Sequence, residues 1–431
     1  MKRVLLKVGG LVQSAQQFDL SPGYLVFEGD RIVAAGLGSF KGDSADCEVI
    51  DRPRCVAIPG LVNTHGHAAM TLLRGAGDDM PLMNWLNERI FPLEAKLTEQ
   101  AIYWGTTLAA WEMIQSGTTC FTDMYFFMND AAKAVADTGL RAVLSWGMVG
   151  LDDASKQAGI RNSRSFIAAW NHEANGRITT TLGPHAPYTC PPDYLRQVAE
   201  LSHELGVAVQ IHLSETSIEV QNSREQHNMS PIELVHACGL LERPVLAAHC
   251  VHVSPHDIAL MKQHGVHVAH NPQSNLKLGS GVAPLVQMLK AGLTVGLGTD
   301  GAASNNNLDM FEELRLAATL HKGVMQNATV VPAHEAFYMA TEGGAKCVFL
   351  EPGHGTLTPG AAADVTLLSM DSPHFIPNHN LLSNIVYAAG ADDVADVFVA
   401  GKQLMSNREV LTIDVERMRY EVHKLEQILK S

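Results

Sequence analysis

Between Val56 and Gly353, short and continuously apolar runs alternate with longer amphipathic stretches. Eight of the runs have strand length: VAIPGLVNT, TTCFTDM, RAVLSWGMV, RITTTLGPHA, VAVQIHLSE, PVLAAHCV, VHVAHNP and LTVGLGTD. Continuous rather than alternating apolar character suits parallel strands covered on both faces. The segments between them read as helices. In TEQAIYWGTTLAAWEMIQSG, Thr98 is a candidate N-cap, Glu99 sits favourably in the first turn and Gly117 is a plausible stop. Eight strands with intervening helices predict an α/β protein, a (β/α)8 TIM-like barrel over residues 57–355. A doubly wound open sheet is the structural alternative, but no Gly-rich phosphate fingerprint follows the first strand.

The two ends have a different texture. Residues 1–56 hold short strand-like runs broken by Gly and Asp, such as YLVFEGDRIVAAG, and GTLTPGAAADVTLLSMD and VADVFVAGKQLM return to that style near the other end. This pattern predicts one small composite β-sandwich domain built from residues 1–56 and 356–415. Residues 416–431, beginning ERMRYEVHKLEQ, read as an amphipathic C-terminal helix.

Composition narrows the partners. A formal net charge of −14 argues against nucleic acid, because phosphate binding needs a dense basic surface. Seven scattered cysteines without a CxxC pair point to reduced thiols in the cytoplasm rather than a disulfide framework. The N-terminal stretch lacks a sustained apolar region with a cleavage site, and no run is long enough to span a membrane, so neither a signal peptide nor a membrane segment is expected. A small molecule is the expected partner. A homo-oligomer is compatible with the sequence, which marks no interface patch.

In a parallel barrel, chemistry gathers at the C-terminal ends of the strands. Those ends carry His65 and His67, Asp123, His185, His212 and Glu215, His249 and His252, His270 and Asn271, and Asp300. Taken singly, each has an ordinary reading. His-x-His occurs on any strand face, Asp300 in GTDGAAS could cap a helix starting near Asn307, Glu215 could be a solvated acid and His249 a neutral core imidazole. Their convergence at the first, fifth, sixth and eighth strand ends points instead to a divalent-metal site of imidazole and carboxylate donors, for which zinc is suited.

At these residues the chain resembles the amidohydrolase superfamily. The order HGH, HLSET, AAHCV and GTDGAAS carries the likeness, and PGAAADVTLLS resembles the superfamily's return into its β domain. Within it, MTLLRGAGDDMPLMNWLNERIFPLEAKLT, GPHAPYTC and HNPQSNLKLGSG resemble the 5'-methylthioadenosine/S-adenosylhomocysteine deaminases. The resemblance implies one divalent metal, most readily zinc, held by His65, His67, His212 and Asp300. A dinuclear centre would need a carboxylated lysine at strand four, where ITTTLGPHAP has none. It further implies that Asp300 accepts a proton from an activated water, that Glu215 protonates the ring nitrogen and that His249 orients the attacking group. The implied reaction is hydrolytic loss of the 6-amino group of an adenosine derivative.

Substrate contacts implied by the same resemblance are Glu94 to ribose hydroxyls, His185 to the purine, Trp85 as a stacking surface and Ser304 as a polar contact, with Glu215 and Asp300 also touching the ring. Trp85 could instead be core, and Glu94 a charge near a helix N-terminus. Some members hold an amino-acid carboxylate with an arginine in the third strand segment, where VLSWGMVG places Trp146 here. An indole cannot clamp a carboxylate as a guanidinium can, so 5'-methylthioadenosine is favoured over S-adenosylhomocysteine, with Trp146 packing on the methylthio group. Arg161 and Arg164 lie nearby in sequence and could equally be solvated helix charges. The alternatives are a related enzyme acting on another aza-aromatic ring, as in guanine or cytosine deamination or triazine hydrolysis, or a scaffold of this fold without activity.

Overall fold

The computed structural model describes residues 3–430. Eight parallel strands follow one another around a single sheet: Leu61–Asn63, Thr118–Tyr125, Arg141–Met148, Ile178–Pro184, Val209–Leu213, Val245–His249, His267–His270 and Thr294–Leu297. The Thr64 N–H donates to Leu297 O at 2.9 Å, so the last strand meets the first and the sheet closes as a barrel. The strands are buried almost throughout, as their continuous apolar character requires. Helices including Glu99–Gln115, Pro192–Leu205, Pro255–Gln263 and Met310–Met325 surround them. At the first of these, the Thr98 hydroxyl accepts the Ala101 N–H at 3.3 Å, and Gly117 turns the chain into the next strand at φ 81°.

The run VAIPGLVNT is divided in the structure. Val56–Pro59 completes the long strand Cys47–Pro59 of a second sheet, and Leu61–Asn63 alone enters the barrel. Gly60 marks the crossing, where a Cβ would lie 2.1 Å from the Thr119 hydroxyl oxygen.

That second sheet has nine strands and is assembled from both ends of the chain. Arg3–Ser14 pairs in parallel with Cys47–Pro59, which in turn pairs antiparallel with Val365–Ser369. Strands Gly23–Glu28 and Val394–Val399 stand four places apart in this sheet, about 19 Å if it were flat. Yet the rings of Phe27 and Phe398 lie 5.7 Å apart, so the sheet curls over on itself into two layers. Leu6, Leu25, Ala57, Val365 and Leu367 fill the space between them. The buried Arg141–Asp364 pair, 2.9 Å apart, joins the start of the third barrel strand to this domain. The C-terminal helix Val415–Lys430 lies along Glu99–Gln115, with Arg417 over the Trp104 ring and Arg419 over Trp111.

Candidate metal centre and active site

The C-terminal ends of the barrel strands bring His65, His67, His212 and Asp300 together. His67 and His212 each place Nδ1 against a backbone carbonyl, Met124 O at 2.7 Å and His185 O at 2.6 Å. A carbonyl only accepts, so Nδ1 carries the proton and Nε2 presents a lone pair. These two Nε2 atoms face each other 3.3 Å apart. Asp300 Oδ1 lies 3.3 Å from His67 Nε2 and 3.6 Å from His65 Nε2, and the buried His65 Nε2 has no hydrogen-bond partner. A carboxylate oxygen, the Nε2 atoms of His67 and His212 and the unpartnered Nε2 of His65 therefore converge, an arrangement that a cation resolves. Two nitrogens on one tetrahedral zinc ion would be separated by about 3.4 Å, and the spacing here fits.

Burial, reinforced by neighbouring imidazoles, holds His65 and His212 well below the usual histidine range, against the pull of Asp300 on His65. They are neutral and ready to donate lone pairs. Burial pushes the Asp300 carboxyl up, but His65, His67 and His249 outweigh it and hold the group below the usual carboxylate range. Ser274 and Ser304 donate their hydroxyls to Asp300 Oδ2 at 2.7 and 2.9 Å, and the Gly301 N–H bonds Oδ1 at 2.7 Å. Asp300 thus shapes its own turn and does not cap the later helix, which Asp309 caps.

His249 sits beside this set. Its Nε2 is 3.9 Å from Glu215 Oε2 and 4.0 Å from Asp300 Oδ2, while Nδ1 is anchored 2.9 Å from Asn275 Oδ1. Burial lowers its pKa, but the two carboxylates prevail and raise it. Glu215 is buried, which raises its pKa, and its Oε1 receives the Ser280 hydroxyl at 3.3 Å. His249 and Asp300 both adopt left-handed backbone, at φ 71° and 62°. Such strain concentrates where side chains must be aimed.

A cavity of about 320 Å³ opens over these groups, a volume suited to a small molecule. Trp85, Glu94, His185, Glu215, His249, Asp300 and Ser304 all line it. Trp85 is buried with its Nε1 unpartnered, and Glu94 Oε1 accepts the Tyr125 hydroxyl at 2.6 Å. Burial raises the Glu94 pKa, and the Tyr125 bond opposes that. His185 is pushed down to about 4 by burial and by His67 and His249.

Trp146, expected as a substrate contact, is not in the lining of this cavity among the described residues. It packs outward against Phe166, with ring centroids 6.4 Å apart, and its neighbour Gly147 faces the cavity. Strand alternation gives adjacent residues opposite faces. Arg164 pairs with Glu204, and Arg161 is exposed on the same helix. Among the other strand-end residues, Asp123 accepts the Ala68 N–H at 3.0 Å, His252 bonds Ser280 O and His270 packs on His321. Tyr125, Ser274, Asn275 and Ser280 are further polar neighbours of the site, and none of them is a histidine or acid at a strand end. Three of them lie in the segment HNPQSNLKLGSG.

Fold and site define a metal-dependent hydrolase, and the chain belongs to the amidohydrolase family, whose model matches residues 56–404. It is 51% identical to a 5-methylthioadenosine/S-adenosylhomocysteine deaminase of Desulforudis audaxviator, covering 91% of this chain and 92% of that one. A protein of the same name from Dictyoglomus thermophilum is 50% identical, covering 89% and 90%. Among solved structures, an adenosine deaminase from Xanthomonas campestris with bound zinc superposes with a TM-score of 0.92. It is 32% identical and covers 99% of this chain and 98% of that chain.

Proposed function

We propose that this enzyme is a zinc-dependent deaminase of 5'-substituted adenosines, with 5'-methylthioadenosine preferred over S-adenosylhomocysteine. The single observation that carries the reading is the joining of the acceptor cluster to a cavity whose far wall holds Glu94 and Trp85. Relatives of about half-identical sequence carry the names of both substrates. A divalent ion in the cluster supplies the Lewis acidity that makes a water nucleophilic near neutral pH.

The chain's own groups supply the rest. Asp300 takes a proton from the water as its oxygen bonds to C6 of the ring. Glu215 gives a proton to the adjacent ring nitrogen; the proton held by Asp300 then passes to the amine, and the C6–N bond breaks as the C6 hydroxyl returns its proton to Glu215, leaving the carbonyl and releasing ammonia. His249, fixed by Asn275, hydrogen-bonds the attacking oxygen. Glu94 accepts hydrogen bonds from the ribose hydroxyls, held in place by Tyr125. The preference for methylthioadenosine rests on the cavity lining, which among the described residues contains no lysine or arginine to meet a carboxylate, whereas Leu82, Phe91, Leu151 and Tyr188 offer apolar surface.

Among the described residues no helix is long and apolar enough to cross a membrane, and all seven cysteines are unpaired. Free thiols support a reducing compartment, the cytoplasm. The testing experiment is ammonia release across adenosine, methylthioadenosine, S-adenosylhomocysteine, guanine and cytosine. The reading predicts the highest kcat/KM for methylthioadenosine. Equal or better turnover of S-adenosylhomocysteine would overturn the preference, and turnover of only the free bases would overturn the nucleoside assignment.

A further inference from the structure

The helix Ser217–His227 begins with a threonine cap, Thr216, whose hydroxyl accepts the Glu219 N–H at 3.2 Å. Thr-x-x-Glu is the signature of a capping box, in which the glutamate returns to the N–H of the cap residue itself. Two later helices do this: Glu233 bonds the Ser230 N–H at 2.7 Å and Asp257 bonds the Ser254 N–H at 2.8 Å. Glu219 extends the pattern. Besides the weaker pull of the Thr216 N–H, its carboxylate reaches further back, Oε1 accepting the Ser214 N–H at 2.9 Å and Oε2 the Glu215 N–H at 2.8 Å.

Those two amides belong to the turn that leaves the fifth barrel strand. Ser214 is fully buried and sits in left-handed backbone at φ 53°, a conformation that serine seldom adopts without support. The turn joins the metal-ligand candidate His212 to Glu215, so its shape sets where the Glu215 carboxyl stands relative to His249. Glu219 itself is buried, with 8% exposure, and does not line the catalytic cavity. Glu219 instead contributes to the wall of a neighbouring cavity, together with Asn222 and Gln226. A buried carboxylate that bonds two consecutive amides of an active-site turn is placed to hold that turn.

We infer that Glu219 is a positioning residue for the proton-transferring acid: its carboxylate clamps the backbone of Ser214 and Glu215 and thereby aims the Glu215 side chain. The inference rests on the role proposed above for Glu215. Replacing the carboxylate by an amide leaves one acceptor and turns an N–H donor towards an N–H, so one clamp bond is lost. Glu219→Asp keeps the charge and shortens the reach, with the same consequence.

The test is a double-variant cycle of Glu219→Gln and Glu215→Gln, reading kcat, KM and metal content on whichever nucleoside the wild-type enzyme deaminates fastest. Glu219→Gln is expected to lower kcat by about tenfold or more, with KM within about threefold and metal content unchanged, since a misplacement of 1 Å can cost a hundredfold. In the Glu215→Gln background the same change should alter kcat by less than about twofold, because its route of action is already gone. Glu219→Asp should follow Glu219→Gln. The inference is overturned by a Glu219→Gln kcat within about twofold of wild type, by equal losses in both backgrounds, or by loss of the metal. A failure of the proposed activity would show in the wild-type enzyme alone, so the two failures are distinct.

Discussion

His67 and His212 turn their Nε2 lone pairs towards each other at 3.3 Å, each locked in that tautomer by a carbonyl behind its Nδ1. Without a cation this arrangement is repulsive. The metal should therefore stabilise the fold as well as serve the reaction. Zinc at a thousandfold excess over its Kd should add about 4 kcal/mol, because it binds the folded state alone. Calorimetry of chelator-treated protein with and without zinc measures this, and an unchanged Tm would contradict it.

The Tyr125 hydroxyl and Glu94 lie 2.6 Å apart in the cavity wall, where the proposed function places the ribose. Glu94→Gln should lower kcat/KM on the nucleoside about 10- to 150-fold, the worth of a hydrogen bond to a charged group. Tyr125→Phe removes only the support and should cost about two- to tenfold. Steady-state kinetics on methylthioadenosine distinguish the two. Equal, negligible effects would remove the ribose contact from the account.

The two tryptophans should behave differently. Trp85 lines the cavity, and Trp85→Ala should cost about 5- to 150-fold in kcat/KM if the purine stacks there. Trp146 faces Phe166, so Trp146→Phe should leave kcat/KM within about twofold of wild type. A large kinetic effect confined to Trp146→Phe would instead place Trp146 against the substrate.

Glu313 lies fully buried behind the site, accepting the Asn305 amide at 2.6 Å and the Gln273 N–H at 3.2 Å. Burial pushes its pKa from 4.5 up to about 8, with those bonds opposing. The folded state thus keeps a proton that the unfolded state releases. Its contribution to stability is complete below pH 4.5 and is lost as pH rises towards about 8. Glu313→Gln removes this titration, so the difference in unfolding free energy between wild type and variant should change by up to about 1.4 kcal/mol per pH unit in that window. Denaturant melts from pH 5 to 8 measure it, and parallel curves would contradict it.

Much of this was legible in the residues. Continuous apolar runs pointed to the parallel barrel, and histidines and acids at separate strand ends pointed to a metal centre, because such ends converge once the barrel closes; the choice of His65, His67, His212 and Asp300 as its ligands came from the family resemblance. Trp146 marks the limit of a family resemblance, since the alternation of its strand turns it towards Phe166 and its neighbour Gly147 towards the cavity. The division of VAIPGLVNT at Gly60 depends on the close approach of Thr119, which no local pattern reveals. The left-handed backbone at His249 and Asp300 is likewise imposed by tertiary contacts. Glu219 was hidden by its own signature, since Thr-x-x-Glu reads as a helix cap wherever it occurs.

The most direct test of the central claim couples metal content to product. Wild-type protein and His212→Ala are each assayed for bound divalent ion and for ammonia released from methylthioadenosine, with the purine product identified by its absorbance. The account predicts one ion per wild-type chain and one ammonia per inosine-type product, with both ion and activity lost in His212→Ala. Undiminished ammonia release by metal-free His212→Ala, or none from wild type fully loaded with zinc, would contradict it.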